Sequence, residues 1–218
     1  MPDAAATPGD HGRGRGRLHT LGDEAVVAAA LTGAPAACEE IVRRFERPIF
    51  SLIVRMVRDQ GHAEDLTQDT FLKMFRALGR YDPTLRFSSW LFRIAHNTAI
   101  DFLRKRRLLV VEPIDDSEGD QYDPLDSLPD LDAISPERAA VRSELAVAVE
   151  RALDRLRPDY RAVLVLRYQE GLEYQEIADV LQTPLGTVKT FLHRARRLLA
   201  RELAQAGWGS ETRPVGGP

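Results

Sequence analysis

The feature that most constrains this chain is the stretch 108–137, which holds ten carboxylates and no Lys or Arg. Its prolines, Pro113, Pro124, Pro129 and Pro136, and its lack of any apolar period leave no face to bury, so it reads as a flexible linker. The segments on either side must then supply their own apolar faces. The net charge of −3 conceals this partition: residues 22–107 carry 14 basic and 11 acidic side chains, and residues 138–205 carry 12 and 9. Two mildly basic blocks therefore flank an acidic one. The expected organisation is a tail over 1–21, a first domain over 22–107, the acidic linker over 108–137, a second domain over 138–205 and a tail over 206–218.

Both blocks show the helical period and neither shows strand alternation, which predicts an all-α class in two small helical domains. Ile41, Phe45, Ile49, Leu52 and Met56 recur at steps of 4, 4, 3 and 4, with Pro48 expected to kink or split the helix. Phe71, Met74, Phe75 and Leu78 form a second stripe, and Leu91, Ile94, Ala95, Thr98 and Phe102 a third, with Ser88 or Ser89 as its expected cap. Val141, Leu145, Val149, Ala152 and Leu156 restart the pattern after Ser135-Pro136. Apolar runs such as Ala162 to Leu166 are far short of the roughly 20 residues that span a bilayer. Together with an N-terminus lacking an apolar signal core, and a single cysteine, Cys38, this predicts a soluble cytoplasmic chain.

The most specific chemistry lies in the last ordered stretch. Tyr174, Ile177, Ala178 and Leu181 make a short helix, and Thr183-Pro184 signals the start of a second, a helix-turn-helix pattern. Val188, Leu192, Ala195 and Leu199 form the buried stripe of the second helix. Thr187, Lys189, Thr190, Phe191, Arg194, Arg197 and Arg201 then lie outside that stripe. Residues 184–201 hold five Lys or Arg and no carboxylate. A helix entering a major groove needs such donors and hydroxyls; a solvated basic helix is the plainer alternative.

At these residues the chain resembles a known group, the extracytoplasmic-function (ECF) sigma factors of the sigma-70 family. EYQEIADVLQTPLGTVKTFLHRARRLL is similar to the family's region 4, and HAEDLTQDTFLKMFRAL with FSSWLFRIAHNTAIDFLRKRR to its region 2. The resemblance implies a region 2 helical bundle and a region 4 helix-turn-helix joined by the acidic linker. It implies that the chain binds core RNA polymerase, through the clamp of the largest subunit and the flap of the second largest, and directs it to promoter DNA. Asp65, Gln68, Asp69, Phe71, Leu72, Lys73 and Arg76 match the clamp-binding motif. Phe87, Ser88, Ser89, Trp90, Arg93, Asn97, Asp101, Arg104 and Lys105, with the loop from Thr84, match the neighbourhood that reads the minus-10 element as single-stranded DNA. The competing reading places Phe87, Trp90 and Phe102 in a core.

For the second domain the resemblance implies reading of the minus-35 duplex. Thr187, Lys189, Thr190 and Arg194 are the expected base and near-phosphate contacts, and Arg196, Arg197 and Arg201 the backbone contacts. The family often has Arg where this chain has Phe191, so a polar contact is missing there or replaced by apolar contact with a thymine methyl. The linker's charge suits a path through basic channels of the polymerase, and an anti-sigma factor is an expected partner. No Gly-rich phosphate loop, metal-spaced Cys and His set or nucleophile context is present. No cofactor, metal or enzymatic activity is expected, and His62, His96 and His193 read as ordinary surface or core residues. The alternative is a free-standing helix-turn-helix regulator acting without polymerase.

Overall fold

The computed structural model describes residues 18–106 and 136–208, with side chains from residue 144 onward in the second stretch. Residues 1–17, 108–135 and 209–218 of the expected tails and linker lie outside the described residues. The regular elements are all helical: α1 (Asp23–Leu31), α2 (Pro35–Val57), α3 (Gln60–Ala77) with a 3-10 turn at Leu78–Arg80, and α4 (Phe87–Lys105). They continue with α5 (Pro136–Asp154), α6 (Pro158–Leu164) with a π-helical turn at Val165–Gln169, α7 (Tyr174–Leu181) and α8 (Leu185–Gln205). Among the described residues no helix is long and apolar enough to cross a membrane.

The first lobe packs α2, α3 and α4 against one another, with α1 laid on α2. The stripe Ile41, Phe45, Ile49, Leu52 and Met56 is wholly buried, as its spacing predicts. Pro48 does not split α2, which runs unbroken from Pro35 to Val57. Proline deletes one helix hydrogen bond, but Phe45, Ile49 and Leu52 around it bury against α3 and α4 and keep both halves in register. The break falls instead before α2, where Gly33 at φ 86° closes α1. Arg44 ties this end down: its Nη1 donates to Asp23 at 2.6 Å, its Nη2 to the Leu18 and Leu21 carbonyls at 2.7 and 2.8 Å, and its Nε to Glu40 at 2.7 Å.

Helix starts depart from expectation in two places. Neither Ser88 nor Ser89 caps α4: Arg86 occupies the N-cap position without a side-chain bond, and the Ser88 hydroxyl is buried without a partner. Thr183 does not cap α8, because its backbone N–H closes α7 on the Ala178 carbonyl at 3.1 Å and Pro184 takes the cap position. The second lobe holds α6, α7 and α8 around the run Ala162 to Leu166, all of it buried. After the π-helical turn, Gly171 at φ 66° lets the Leu172 N–H reach the Leu166 carbonyl at 2.9 Å. That reversal sends α7 back across the lobe and sets up the helix-turn-helix.

The lobes are in direct contact. α6 lies against α2 and α7 against α4, so the buried apolar residues form one continuous cluster through both.

Candidate nucleic-acid interface

On α3 the expected docking face is largely in place. Asp65, Gln68, Asp69, Lys73 and Arg76 are exposed, and Leu72, at 52% exposure, is a lone large apolar group among them. Phe71 points the other way, into the core, because it continues the stripe with Met74 and Leu78. Lys73 is already engaged: its Nζ donates to the Thr98 hydroxyl at 2.9 Å, a link from α3 to α4.

On α4 the aromatic rings are internal. Phe87 is buried and Trp90 is 9% exposed, in a cluster with Phe45 and Tyr81. Phe87 meets Phe45 edge-on at 5.5 Å and Tyr81 at 5.4 Å, and Trp90 lies 5.1 Å from Tyr81. Edge-to-face pairs of this kind anchor the start of α4 and leave no flat ring face for a base. Exposed on the helix are Asn97, Asp101, Arg104 and Lys105, with Ser88, Ser89 and Arg93 half-buried. Phe102 is half-buried between His62, at 4.9 Å, and the Arg106 guanidinium, at 4.8 Å. The loop before α4 is ordered by Asp82, whose carboxylate accepts from the Thr84 N–H and hydroxyl at 2.9 and 2.7 Å.

The helix-turn-helix forms with its predicted seam, Val188, Leu192, Ala195 and Leu199, buried. α7 carries a reciprocal capping box between Glu173 and Glu176, a signal legible in E-Y-Q-E but passed over in the periodicity reading. The turn residue Gln182 takes the left-handed conformation at φ 52°. Lys189, Arg197 and Arg201 are exposed on α8, while Thr187, Thr190 and Arg194 are half-buried. Arg196 turns inward, with its guanidinium 5.4 Å over the Tyr168 ring and 3.4 Å from the Tyr174 hydroxyl. Phe191 packs its ring on Tyr160 at 5.5 Å and 65°. That contact fastens α8 to α6.

A further set of residues meets across the lobes, and nothing local in the sequence marks them. Glu176 on α7 accepts from Arg86 Nη1 at 3.1 Å and from the Ser89 hydroxyl at 3.4 Å, while also accepting the Glu173 N–H at 2.7 Å. Burial pushes the Glu176 carboxyl up, but the Glu173 N–H, Arg86 and Ser89 outweigh it and hold it below the ordinary value. Asn97 donates to the Gln182 side chain at 3.3 Å. Deeper in, Arg161 is buried with one bond, Nη2 to the Met56 carbonyl at 3.2 Å, and burial lowers its pKa to about 10. His96 is buried with neither ring nitrogen hydrogen-bonded, and desolvation lowers its pKa.

Comparison with known proteins places this geometry. Residues 41–108 match Sigma-70 region 2 and residues 146–199 match Sigma-70, region 4, in that order and over more than half the chain. The chain is 37% identical over 187 residues to the RNA polymerase sigma-H factor of Pseudomonas aeruginosa, covering 83% of this chain and 93% of that protein. It is 34% identical over 198 residues to the ECF RNA polymerase sigma factor SigE of Mycolicibacterium smegmatis, covering 91% and 70%. Among solved structures, CnrH in complex with the cytosolic domain of CnrY superposes with a TM-score of 0.59 at 27% identity, over 84% of this chain and 97% of that one. The two sequence relatives are named RNA polymerase sigma factors, which favours that reading over the free-standing regulator. With both regions matched in order and carried on the two lobes just described, the chain belongs to the ECF group of the sigma-70 family, the initiation factors of bacterial RNA polymerase.

Proposed function

We propose that the two lobes divide promoter recognition, with α8 reading the minus-35 duplex and the outer face of α4 reading the minus-10 element as a single strand. The observation that carries this reading is the pairing of two helices with a polar outer face, α8 seated on an apolar stripe and α4 on a largely apolar one that also holds Thr98 and His96. On α8, Thr187, Lys189, Thr190 and Arg194 contact bases or nearby phosphates, and Arg197 and Arg201 hold the backbone. Phe191 supports them through Tyr160. On α4, Ser89, Arg93, Asn97 and Asp101 face the unpaired bases and Arg104 and Lys105 follow the phosphates, while Ser88, with its hydroxyl buried, lies beneath that surface. Phe87 and Trp90 brace that surface from beneath.

The α3 face of Asp65, Gln68, Asp69, Leu72, Lys73 and Arg76 docks on the polymerase clamp, as an apolar centre with a polar rim suits a helix-on-helix contact; Phe71 supports it from the core. The flap of the second largest subunit receives the second lobe. An anti-sigma partner fits the same reading, CnrH having been solved with the cytosolic domain of CnrY. The protein works in the cytoplasm, where the polymerase is.

Run-off transcription tests this with bacterial core polymerase on genomic promoter fragments. Initiation at a small set of sites sharing two spaced motifs, dependent on this chain, is the expected result. Duplex binding without any effect on core polymerase overturns it in favour of the free-standing regulator.

A further inference from the structure

α4 ends in three adjacent cations, Arg104, Lys105 and Arg106. A helix end of this kind is hard to keep in one place: its last carbonyls lack partners, its final turn frays, and neighbouring like charges repel. Leu103 is buried and seats one side of the turn. The start of α3 holds another side. The Phe102 ring meets the His62 ring at 4.9 Å, tilted by 46°, and carries the Arg106 guanidinium at 4.8 Å. His62 is itself pinned by Asp59, the N-cap of α3, whose carboxylate accepts from the His62 N–H at 2.8 Å and lies 2.7 Å from His62 Nδ1. The His62 N–H first, then the His62 ring, with the Arg106 charge adding, hold the Asp59 carboxyl below its ordinary value. Asp59, His62, Phe102 and Arg106 thus make one chain of contacts from the first turn of α3 to the end of α4.

We propose that His62 and Phe102 are positioning residues, which clasp the last turn of α4 to α3 and so aim Arg104 and Lys105 at the phosphates of the single-stranded minus-10 element. This rests on the assignment of α4 to minus-10 reading above. The register of α4 supports it. Arg93, Asn97, Asp101 and Arg104 follow one another at steps of 4, 4 and 3, so Arg104 continues the row that meets the strand. Phe102 lies one turn after Thr98, whose hydroxyl accepts from Lys73 of α3 at 2.9 Å. The edge of α4 turned to α3 therefore carries the clasp and leaves the strand-facing row clear. The three terminal cations divide accordingly. Arg106 is stacked on Phe102, where it stiffens the turn, while Arg104 and Lys105 are exposed. A cation held in advance loses less freedom on meeting a phosphate, so the clasp adds affinity without touching DNA.

The test uses the full chain bound to saturating bacterial core polymerase, titrated with a fluorescent single-stranded oligonucleotide carrying the minus-10 sequence found by run-off transcription. Affinity is measured across a salt series. Each phosphate contact on a single strand contributes about −0.7 to the slope of log affinity against log salt. Arg104→Ala and Lys105→Ala are each expected to make the slope shallower by that amount. Phe102→Leu and His62→Ala leave both cations in the chain. They are nevertheless expected to make the slope shallower by up to ~1.4, and to weaken binding by up to ~25-fold at about 0.1 M salt, the counterion contribution of two contacts.

Adding Arg104→Ala to Phe102→Leu is expected to change little further, and Phe102→Tyr, which keeps the ring, to bind as the unsubstituted chain does. Weaker binding at an unchanged slope overturns the proposal, because it marks a general loss of structure rather than misdirected cations. Unchanged binding in both clasp variants overturns it too, as does a fully additive Arg104→Ala effect. His62 sits half-buried in the first turn of α3, so His62→Ala gives a reading even where Phe102→Leu lowers the folded fraction. An unaltered slope in both Arg104→Ala and Lys105→Ala overturns instead the phosphate-tracking reading on which the clasp rests.

Discussion

Phe191→Leu separates the two roles that a ring at this position can have. In the structure the ring is half-buried, edge-on to Tyr160 at 5.5 Å and 65°, and fastens α8 to α6. An edge-to-face pair contributes about 0.5–1.5 kcal/mol beyond its area. Replacing a half-buried ring by an isobutyl group exposes or empties a further ~20 Å², about 0.5 kcal/mol at 25 cal/mol/Å². The variant is therefore expected to be about 1–2 kcal/mol less stable. In a chain of this size that lowers Tm by roughly 2–8 °C and moves the urea midpoint down at unchanged slope. Thermal and urea melts followed by far-UV circular dichroism read the loss. Run-off transcription on promoters changed one base at a time across the minus-35 element reads specificity, which is expected to be unaltered. A variant with the original Tm and a changed preference at one minus-35 position refutes the reasoning, because the ring would then be turned to the duplex.

Two further outcomes are expected. Arg194→Ala should weaken duplex binding by about 1–3 kcal/mol and relax preference at a single minus-35 position if the guanidinium pairs with a guanine; a uniform loss on every sequence in a binding titration makes it a phosphate contact instead. Acid should destabilise the fold in two steps. The folded state keeps His96 neutral by desolvation, with Asp159 of α6 opposing and Arg104 of α4 reinforcing the shift, whereas the unfolded chain takes up its proton below about pH 6.5. Stability therefore falls as pH drops through that value, by at most about 1.4 kcal/mol per pH unit. Glu40 behaves in the opposite chemical sense with the same outcome. The hydrogen bond from Arg43, with help from Arg44, holds its carboxyl down at about 2, so its contribution is complete above 4.5 and is lost between 4.5 and about 2. Urea midpoints measured against pH should lose the upper step in His96→Phe and the lower in Glu40→Gln; a variant that keeps its step contradicts the assignment.

Much of this protein is local and was therefore legible in its residues. The stripes Ile41 to Met56 and Val188 to Leu199 are buried as spaced, because one helix turn brings i, i+3 and i+4 to one side whatever lies opposite. The polar strips on α3 and α8 follow from the same periodicity, and the motif resemblance located both regions that the family matches cover. Caps were less legible. Ser88, Ser89 and Thr183 have the chemistry of an N-cap, but helix packing decided where α4 and α8 begin. The ring orientations were harder still. Phe87 and Trp90 suit base stacking by composition, and only the approach of Phe45 and Tyr81 turned them into core. Phe191 reads as part of an outward face until α6 brings Tyr160 beneath it.

The sequence alone determined the helices, their apolar faces, the acidic interruption and the family, since each is written in residues a few positions apart. The tertiary structure alone decided that α7 lies on α4, that Glu176 meets Arg86 and Ser89, and that Arg161 and His96 are sealed between the lobes. Such pairs stand far apart along the chain, with no periodicity linking them. Their meeting depends on how two separately folded surfaces fit, a balance of apolar burial against unsatisfied polar groups that no local pattern encodes.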